Sequence, residues 1–291
     1  MIPDINPDSL VYLDGAFVRL GDAKVSVLDR GFLFGDGVYE VVPVYNSIPF
    51  QLDEHLARLM RSLHAIRIDA GRTQDQWRAL LYDVLHRNAQ PDCVLYLQVT
   101  RGAARRDHCF PARATPTVFC MASPRTPPTR AAREQGLRAV TMPDLRWLCC
   151  QIKSISLLGN VLAKQYAVDH GVDEVIQFRD GHLTEGSSCN LWVVRHGRLL
   201  APPRDNHILE GIRYGFLVEL ARQADIPFLA RVLSREDVAG ADELMLSSAT
   251  TEVLPIVNVD GTPVGTGTPG PVYQRLRAAY DRAIAHAAHA P

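Results

Sequence analysis

Ser123-Pro-Arg-Thr-Pro-Pro-Thr129 constrains the fold more than any other stretch of the chain. Three prolines within residues 124–128 cannot continue a helix or a central strand, because each lacks an N–H and fixes its own φ. A chain of 291 residues is long enough for two compact domains. The proline stretch therefore predicts a smaller N-terminal domain over 1–122, a linker over 123–130 and a larger C-terminal domain over 131–291.

Both halves mix strands and helices without a regular βαβ alternation, so the expected fold class is α+β. In the first half, Val11 to Val18 reads as a hairpin turning at Asp14-Gly15. Val38 to Tyr45, Val94 to Thr100 and Thr117 to Met121 read as strands, with Pro43 near an edge or bulge. Asp53 is expected to cap a helix whose buried face is Leu56, Leu59, Met60, Leu63 and Ile66. Gln74 to Asn88 reads as a second amphipathic helix. In the second half, strands are expected at 137–142, 174–179, 190–194, 243–247 and 256–259. Helices are expected at about 156–170, 212–224 and 272–287.

A formal net charge of −1 argues against a nucleic-acid-binding surface. No apolar run reaches membrane-spanning length, and Met1 to Pro7 lacks the basic segment and apolar core of a signal peptide. The expected location is the cytoplasm. The six cysteines have no Cys-x-x-Cys spacing, so no metal site is expected and most should be reduced, buried thiols.

Two stretches carry chemistry. Lys153 lies among Trp147, Leu148, two cysteines, Ile152, Ile155, Leu157 and Leu158. Apolar surroundings disfavour a charged amine, and a neutral amine is a nucleophile that forms a Schiff base with an aldehyde. The plainer reading is a snorkelling lysine at a helix start. Leu183-Thr-Glu-Gly-Ser-Ser-Cys-Asn-Leu-Trp192 puts Glu185 in a small-residue loop between two strand-like runs. A carboxylate there suits the protonated ring nitrogen of pyridoxal phosphate; the plainer reading is a turn.

Five motifs occur in order: Asp29-Arg-Gly-Phe-Leu-Phe-Gly-Asp-Gly-Val-Tyr-Glu-Val-Val42, Glu54-His-Leu-Ala-Arg-Leu59, Ile152-Lys-Ser154, Thr184-Glu-Gly-Ser-Ser-Cys-Asn190 and Leu209-Glu-Gly-Ile212. Together they resemble the fold-type IV pyridoxal-phosphate enzymes, from about Tyr12 to about Val264, and among these the D-amino-acid aminotransferases most. The resemblance implies a two-domain α+β fold and a homodimer acting on amino acids and 2-oxo acids. It implies Lys153 as the Schiff-base lysine and proton shuttle, and Glu185 as the ring-nitrogen partner. Arg58, the helix start at Ile212 and Arg213, and the loop Ser248-Ala249-Thr250 fall on the phosphate-binding positions. The chain departs from the pattern at Arg213 and Ala249, where many relatives have threonine. Arg106 and His108 fall on the Arg-x-His substrate-carboxylate motif, with Tyr39 as third partner and Ser188 also at the substrate. The Arg106/His108 loop is expected to serve the partner subunit. Which side of the cofactor holds the carboxylate decides which enantiomer turns its Cα–H toward Lys153.

Four other activities remain open at this level. An L-branched-chain aminotransferase shares the lysine and glutamate motifs but does not usually carry the Arg-x-His loop. An aminodeoxychorismate lyase resembles the chain less around Val99-Thr-Arg-Gly102. An R-selective amine transaminase must accept substrates with no carboxylate. A catalytically dead ligand-binding relative would lack the lysine or the glutamate, and both are present.

Overall fold

The structure, a computed structural model, describes residues 6–287. Most of the N-terminal stretch read for a signal peptide lies outside the described residues. The chain forms two compact units, one reaching to Arg125 and including 152–157, the other spanning 126–151 and 158–286.

The first unit opens with the expected hairpin, β1 (Leu10–Leu13) and β2 (Ala16–Arg19). A short helix α1 (Arg30–Phe34) follows, capped by the Asp29 carboxylate, which accepts from the Gly31 N–H. Then come β3 (Gly37–Tyr45), β4 (Ile48–Pro49), α2 (Leu52–Ala65), α3 (Gln74–Asn88), β5 (Cys93–Thr100) and β6 (Thr117–Pro124). The strands form an antiparallel sheet in the order β2-β1-β6-β5-β3-β4. Pro43 pairs with Val94 of β5, and on its other side its carbonyl accepts from the Phe50 N–H (2.8 Å) just beyond β4, so its missing N–H breaks no ladder bond. Val38, Val42 and Val44 join Leu56, Leu59, Leu63, Trp77 and Leu81 in one core.

Helix α2 departs from expectation in two ways. Its N-cap is Gln51, in the left-handed region and without a side-chain cap, so Asp53 lies inside the first turn and pairs with Arg78. An acidic group there still favours the helix dipole. Met60 is exposed, because the buried face turns instead through His55, Arg58 and Ser62. The apolar stripe runs beside a buried polar stripe that apolar spacing does not reveal. Helix α3 matches its expected bounds and carries a Thr73/Gln76 capping box.

The proline stretch ends this unit later than expected: Ser123 and Pro124 still pair with Val94 and Cys93 in β6. Residues 152–157, read as part of the C-terminal domain, group here because they are tied to β3. The Tyr39 N–H donates to the Lys153 carbonyl (3.0 Å), the Ile155 N–H to Gly37 (3.1 Å), and the Ser156 hydroxyl to Gly35 (3.0 Å).

The second unit contains α4 (Arg130–Glu134), β7 (Leu137–Pro143), α5 (Leu158–Asp169), β8 (Glu174–Arg179), β9 (His182–Leu183), β10 (Asn190–Arg195) and β11 (Arg198–Ala201). It continues with α6 (Ile212–Gln223), β12 (Phe228–Ala230), α7 (Arg235–Ala239), β13 (Glu243–Ser248), β14 (Glu252–Val259), β15 (Thr262–Pro263) and α8 (Pro271–Ala287). Helix α5 begins at Leu158 rather than Ser156, because the preceding residues are already bonded to β3. The sheet runs β12-β11-β10-β13-β14-β7-β8-β9, with β15 added to β14. It is mixed: β7 lies parallel to β8 and β14, and β11 parallel to β12. One core packs Trp192, Tyr214, Leu217, Met245 and Tyr280, and a second packs Ile176, Leu191, Leu244 and Ile256. Among the described residues no helix is long and apolar enough to cross a membrane, and no group of acidic, His or Cys side chains is placed to hold a metal ion. All six cysteines are free thiols, with Cys109 exposed and Cys149 half-buried.

Candidate active site

In the first unit, β3 sends alternate residues to opposite faces. Val38, Glu40 and Val42 point into the core, and Tyr39 faces the other way. The Lys153 ammonium stands 4.1 Å from the centre of the Tyr39 ring, a cation–π contact. The Lys153 N–H also donates to the Ser62 hydroxyl (3.2 Å). The apolar sleeve expected around this lysine is absent. Trp147, Leu148 and Leu158 are 46%, 58% and 70% exposed, and Lys153 itself is half-buried. Its segment is an extended stretch bridged to Val38, not a helix start.

Glu40, fully buried, accepts two bonds from Arg58, through Nε and Nη2 at 2.8 Å each, and a third contact from His55 Nδ1 at 2.7 Å. Burial pushes the Glu40 carboxyl up, but Arg58 and His55 outweigh it and hold it well below the usual carboxylate range. The Arg58 fork therefore grips a carboxylate of its own chain. Arg58 lies on the buried face of α2 rather than on its solvent face.

Residues 101–116 connect β5 to β6. Arg106 and His108 are exposed there, and both approach Phe34 of α1, the guanidinium at 5.5 Å and the imidazole at 5.4 Å from its ring. Arg106 and His108 thus share the Phe34 ring, and Tyr39 meets Lys153 and Tyr96.

In the second unit, Glu185 is buried in the loop between β9 and β10. Its carboxylate accepts from Arg146 Nη1, from Asn190 Nδ2 (2.9 Å) and from the Leu209 N–H (2.9 Å). Burial raises the Glu185 carboxyl above the ordinary carboxylate range, against the pull of Arg146 and the Leu209 amide. Arg146 is held in turn by Asp144, which also accepts from the Thr184 hydroxyl and pairs with Arg179. Burial pushes Asp144 up, and its bonds to Arg146 and Thr184 bring it below its usual value. Ser188 is the one exposed residue of 184–190.

Gly211 caps α6 and approaches Asn190 so closely that a Cβ would come within 2.2 Å of its side-chain oxygen. The Gly211 N–H donates to that same Asn190 oxygen (3.1 Å), which fixes the start of α6 at Ile212 and Arg213. The Arg213 side chain is 1% exposed, with its guanidinium 5.7 Å from the Tyr280 ring. Ser248, Ala249 and Thr250 form the half-buried turn from β13 to β14. The Ser248 hydroxyl is bonded to Thr251, a residue the sequence reading did not single out.

Glu40, His55, Arg146 and Asn190 were also missed. Glu40 had a signal: Val38-x-Glu40-x-Val42 puts a carboxylate on a buried face, where it needs a partner. The Arg146–Glu185 pair had none, since it joins positions far apart in sequence.

In the second unit a buried carboxylate, a glycine-capped helix start and a hydroxyl-bearing turn are groups suited to a pyridine nitrogen and a phosphate, and the first unit carries a half-buried amine suited to an aldehyde. Residues 37–259 match the family described as amino-transferase class IV, and the chain belongs to that family of pyridoxal-phosphate enzymes. It is 38% identical over 275 residues to the D-alanine aminotransferase of Staphylococcus haemolyticus, covering 94% of this chain and 97% of the relative. It is 37% identical over 274 residues to the D-alanine aminotransferase of Bacillus licheniformis, covering 94% and 96%. Among solved structures, the Escherichia coli branched-chain amino acid aminotransferase superposes with a TM-score of 0.91 at 29% identity, over 94% of each chain. The T.th. branched-chain amino acid aminotransferase with pyridoxamine 5'-phosphate gives 0.90 at 27%, over 95% of this chain and 94% of that one.

Proposed function

We propose that this chain transfers the amino group of a D-amino acid such as D-alanine to a 2-oxo acid such as 2-oxoglutarate by a ping-pong mechanism. The observation that carries the reading is Arg106 and His108, an exposed guanidinium and imidazole that both approach the Phe34 ring. With a phenol from Tyr39, such a pair supplies the donors that one carboxylate accepts. The curated relatives, named D-alanine aminotransferase, support the same substrate class.

Bound pyridoxal phosphate supplies the electron sink for the pair left on Cα when its proton departs. Lys153 Nζ would hold the cofactor's aldehyde and, when free, would be the base for the Cα proton. The Tyr39 ring limits where that amine can stand. Glu185 would accept the ring N–H, and Arg146 fixes the orientation of its carboxylate. The amides of Ile212 and Arg213 and the Ser248–Thr250 turn hold the phosphate, with Arg58 adding charge and Glu40 orienting it. Ser188, exposed at the tip of the Glu185 loop, contacts substrate.

The working assembly is a homodimer in the cytoplasm, with the Arg106/His108 loop serving the partner subunit. The exposed apolar residues Val25, Val27, Leu28 and Phe32 support a second copy as partner. The likeness to the branched-chain structures favours a second reading, an L-branched-chain aminotransferase. Protein saturated with pyridoxal phosphate, mixed separately with D-alanine and L-leucine, separates the two. Loss of the visible cofactor band with D-alanine alone is the expected result, and Lys153→Ala should respond to neither. Loss of the band with L-leucine alone would replace the D-amino-acid reading with the branched-chain one.

A further inference from the structure

The loop 101–116 is exposed along most of its length, yet one buried arginine ties its backbone down. Arg30 opens α1 and is almost completely enclosed. Its Nη1 donates to the carbonyls of Asp107 (2.5 Å) and Cys109 (3.3 Å), and its Nη2 to that of His108 (3.4 Å). Three consecutive carbonyls thus wrap around one cation. The Arg30 Nε donates to Asp36 (2.8 Å), which also takes Nε and Nη2 of Arg101 (2.8 and 3.0 Å). Arg101 reaches on to the carbonyls of Arg67 and Ile66 just beyond α2 (3.0 and 2.7 Å).

The far side of the loop is fastened by Phe110, whose ring lies 3.7 Å from the Arg101 guanidinium and 4.7 Å from that of Arg67. At its base Gly102 has φ +89°, and a Cβ there would meet the Thr115 carbonyl at 1.9 Å. The base of the loop is also held by backbone bonds, Arg30 N–H to Gly102 (2.9 Å) and Ala104 N–H to Leu28 (3.2 Å), whereas residues 105–110 are all exposed. Phe34, on which Arg106 and His108 converge, also receives the Arg30 guanidinium at 4.8 Å.

We propose that Arg30, held by Asp36, is the positioning residue of the substrate-carboxylate loop. By fixing the carbonyls of residues 107–109 it sets where Arg106 and His108 present their donors, before any substrate arrives. Ordering the loop in advance removes an entropic cost that each carboxylate-bearing substrate would otherwise meet on binding. This rests on the reading of Arg106 and His108 as the carboxylate ligands. It deepens that reading by placing substrate selection on a residue that touches no substrate.

The test uses full-length protein loaded with pyridoxal phosphate, as wild type, Arg30→Gln and Arg30→Lys. Two quantities are read: the D-alanine concentration that half-saturates loss of the visible band, and the rate of tryptic cleavage after Arg105 and Arg106. For Arg30→Gln both should rise on the order of tenfold or more, with the saturating rate and cofactor affinity unchanged. Arg30→Lys, which keeps the charge without the fork, should fall between.

Half-saturation that rises without faster cleavage would overturn the proposal, placing Arg30 at the substrate itself. Faster cleavage without weaker half-saturation would overturn it too, by separating the loop from the substrate. If wild type does not respond to D-alanine, the D-amino-acid reading fails, while cleavage still decides whether Arg30 orders the loop. Should Arg30→Gln not fold, Phe110→Leu at a 46% exposed position loosens the same loop and is read in the same two ways.

Discussion

Glu185 depends for its chemistry on what encloses it. Burial raises its carboxyl, so the folded protein binds a proton there more readily than the unfolded chain, whose value is about 4.5. For such a group the contribution to stability is full below the unfolded value and is lost as pH rises through the folded one. Without cofactor, wild type should therefore lose stability relative to Glu185→Gln as pH climbs above 4.5, a trend read from urea midpoints of both proteins. A flat difference across that range would mean that Arg146 already keeps Glu185 ionised. In the loaded enzyme the same substitution should slow the D-alanine half-reaction by about 10²- to 10³-fold, because a neutral amide cannot match the pyridinium charge. The small-residue loop around Glu185 was legible in the sequence; its burial and its bond from Arg146 were not. Around Lys153 the apolar run reads differently in the fold: Trp147, Leu148 and Leu158 are exposed, and the lysine meets Tyr39 and Ser62.

The turn from β13 to β14, proposed above to hold the phosphate, is braced from the start of β14. Glu252, the first residue of β14, has φ +60°, outside the usual range for a side-chain-bearing residue. Its buried carboxylate accepts from Arg133 of α4 and Arg277 of α8, both at 2.9 Å. Removing it leaves Arg277 buried without that anion. Glu252→Ala should cost about 3–5 kcal/mol in urea unfolding and weaken cofactor affinity, whereas Ser9→Ala, in a half-exposed bend far from these contacts along the chain, should do neither. At this scale helices with a clean apolar period were readable almost to the residue, as α3 and α8 show. The parts that failed depend on partners distant in sequence. The buried polar face of α2 exists only because Glu40 lies opposite it, and the shift of the α2 cap to Gln51 depends on a left-handed backbone that no composition rule announces.

For the molecule as a whole, the proline stretch falls where β6 ends, because prolines end strands by a local mechanism, and the α+β class was readable. The return of residues 152–157 to the first unit was not, since it rests on backbone bonds to β3 across more than a hundred positions. The exposed apolar run Val25, Val27, Leu28 and Phe32 argues for a second copy. Phe32→Glu, at a 74% exposed position, should leave the circular dichroism unchanged while sedimentation shifts from dimer to monomer and turnover falls. An unchanged sedimentation coefficient would remove this patch from the interface.

The interleaving of the two units also bears on the order of synthesis. A ribosome releases β7, which belongs to the second unit, before residues 152–157, which belong to the first. At roughly 5–20 residues per second, several seconds separate the emergence of β3 from that of the segment that pairs with it. The sheet of the first unit can assemble meanwhile, but without the backbone of Lys153 against Tyr39. Lys153 therefore emerges about midway through synthesis, after β7 but before α5 and the rest of the second unit.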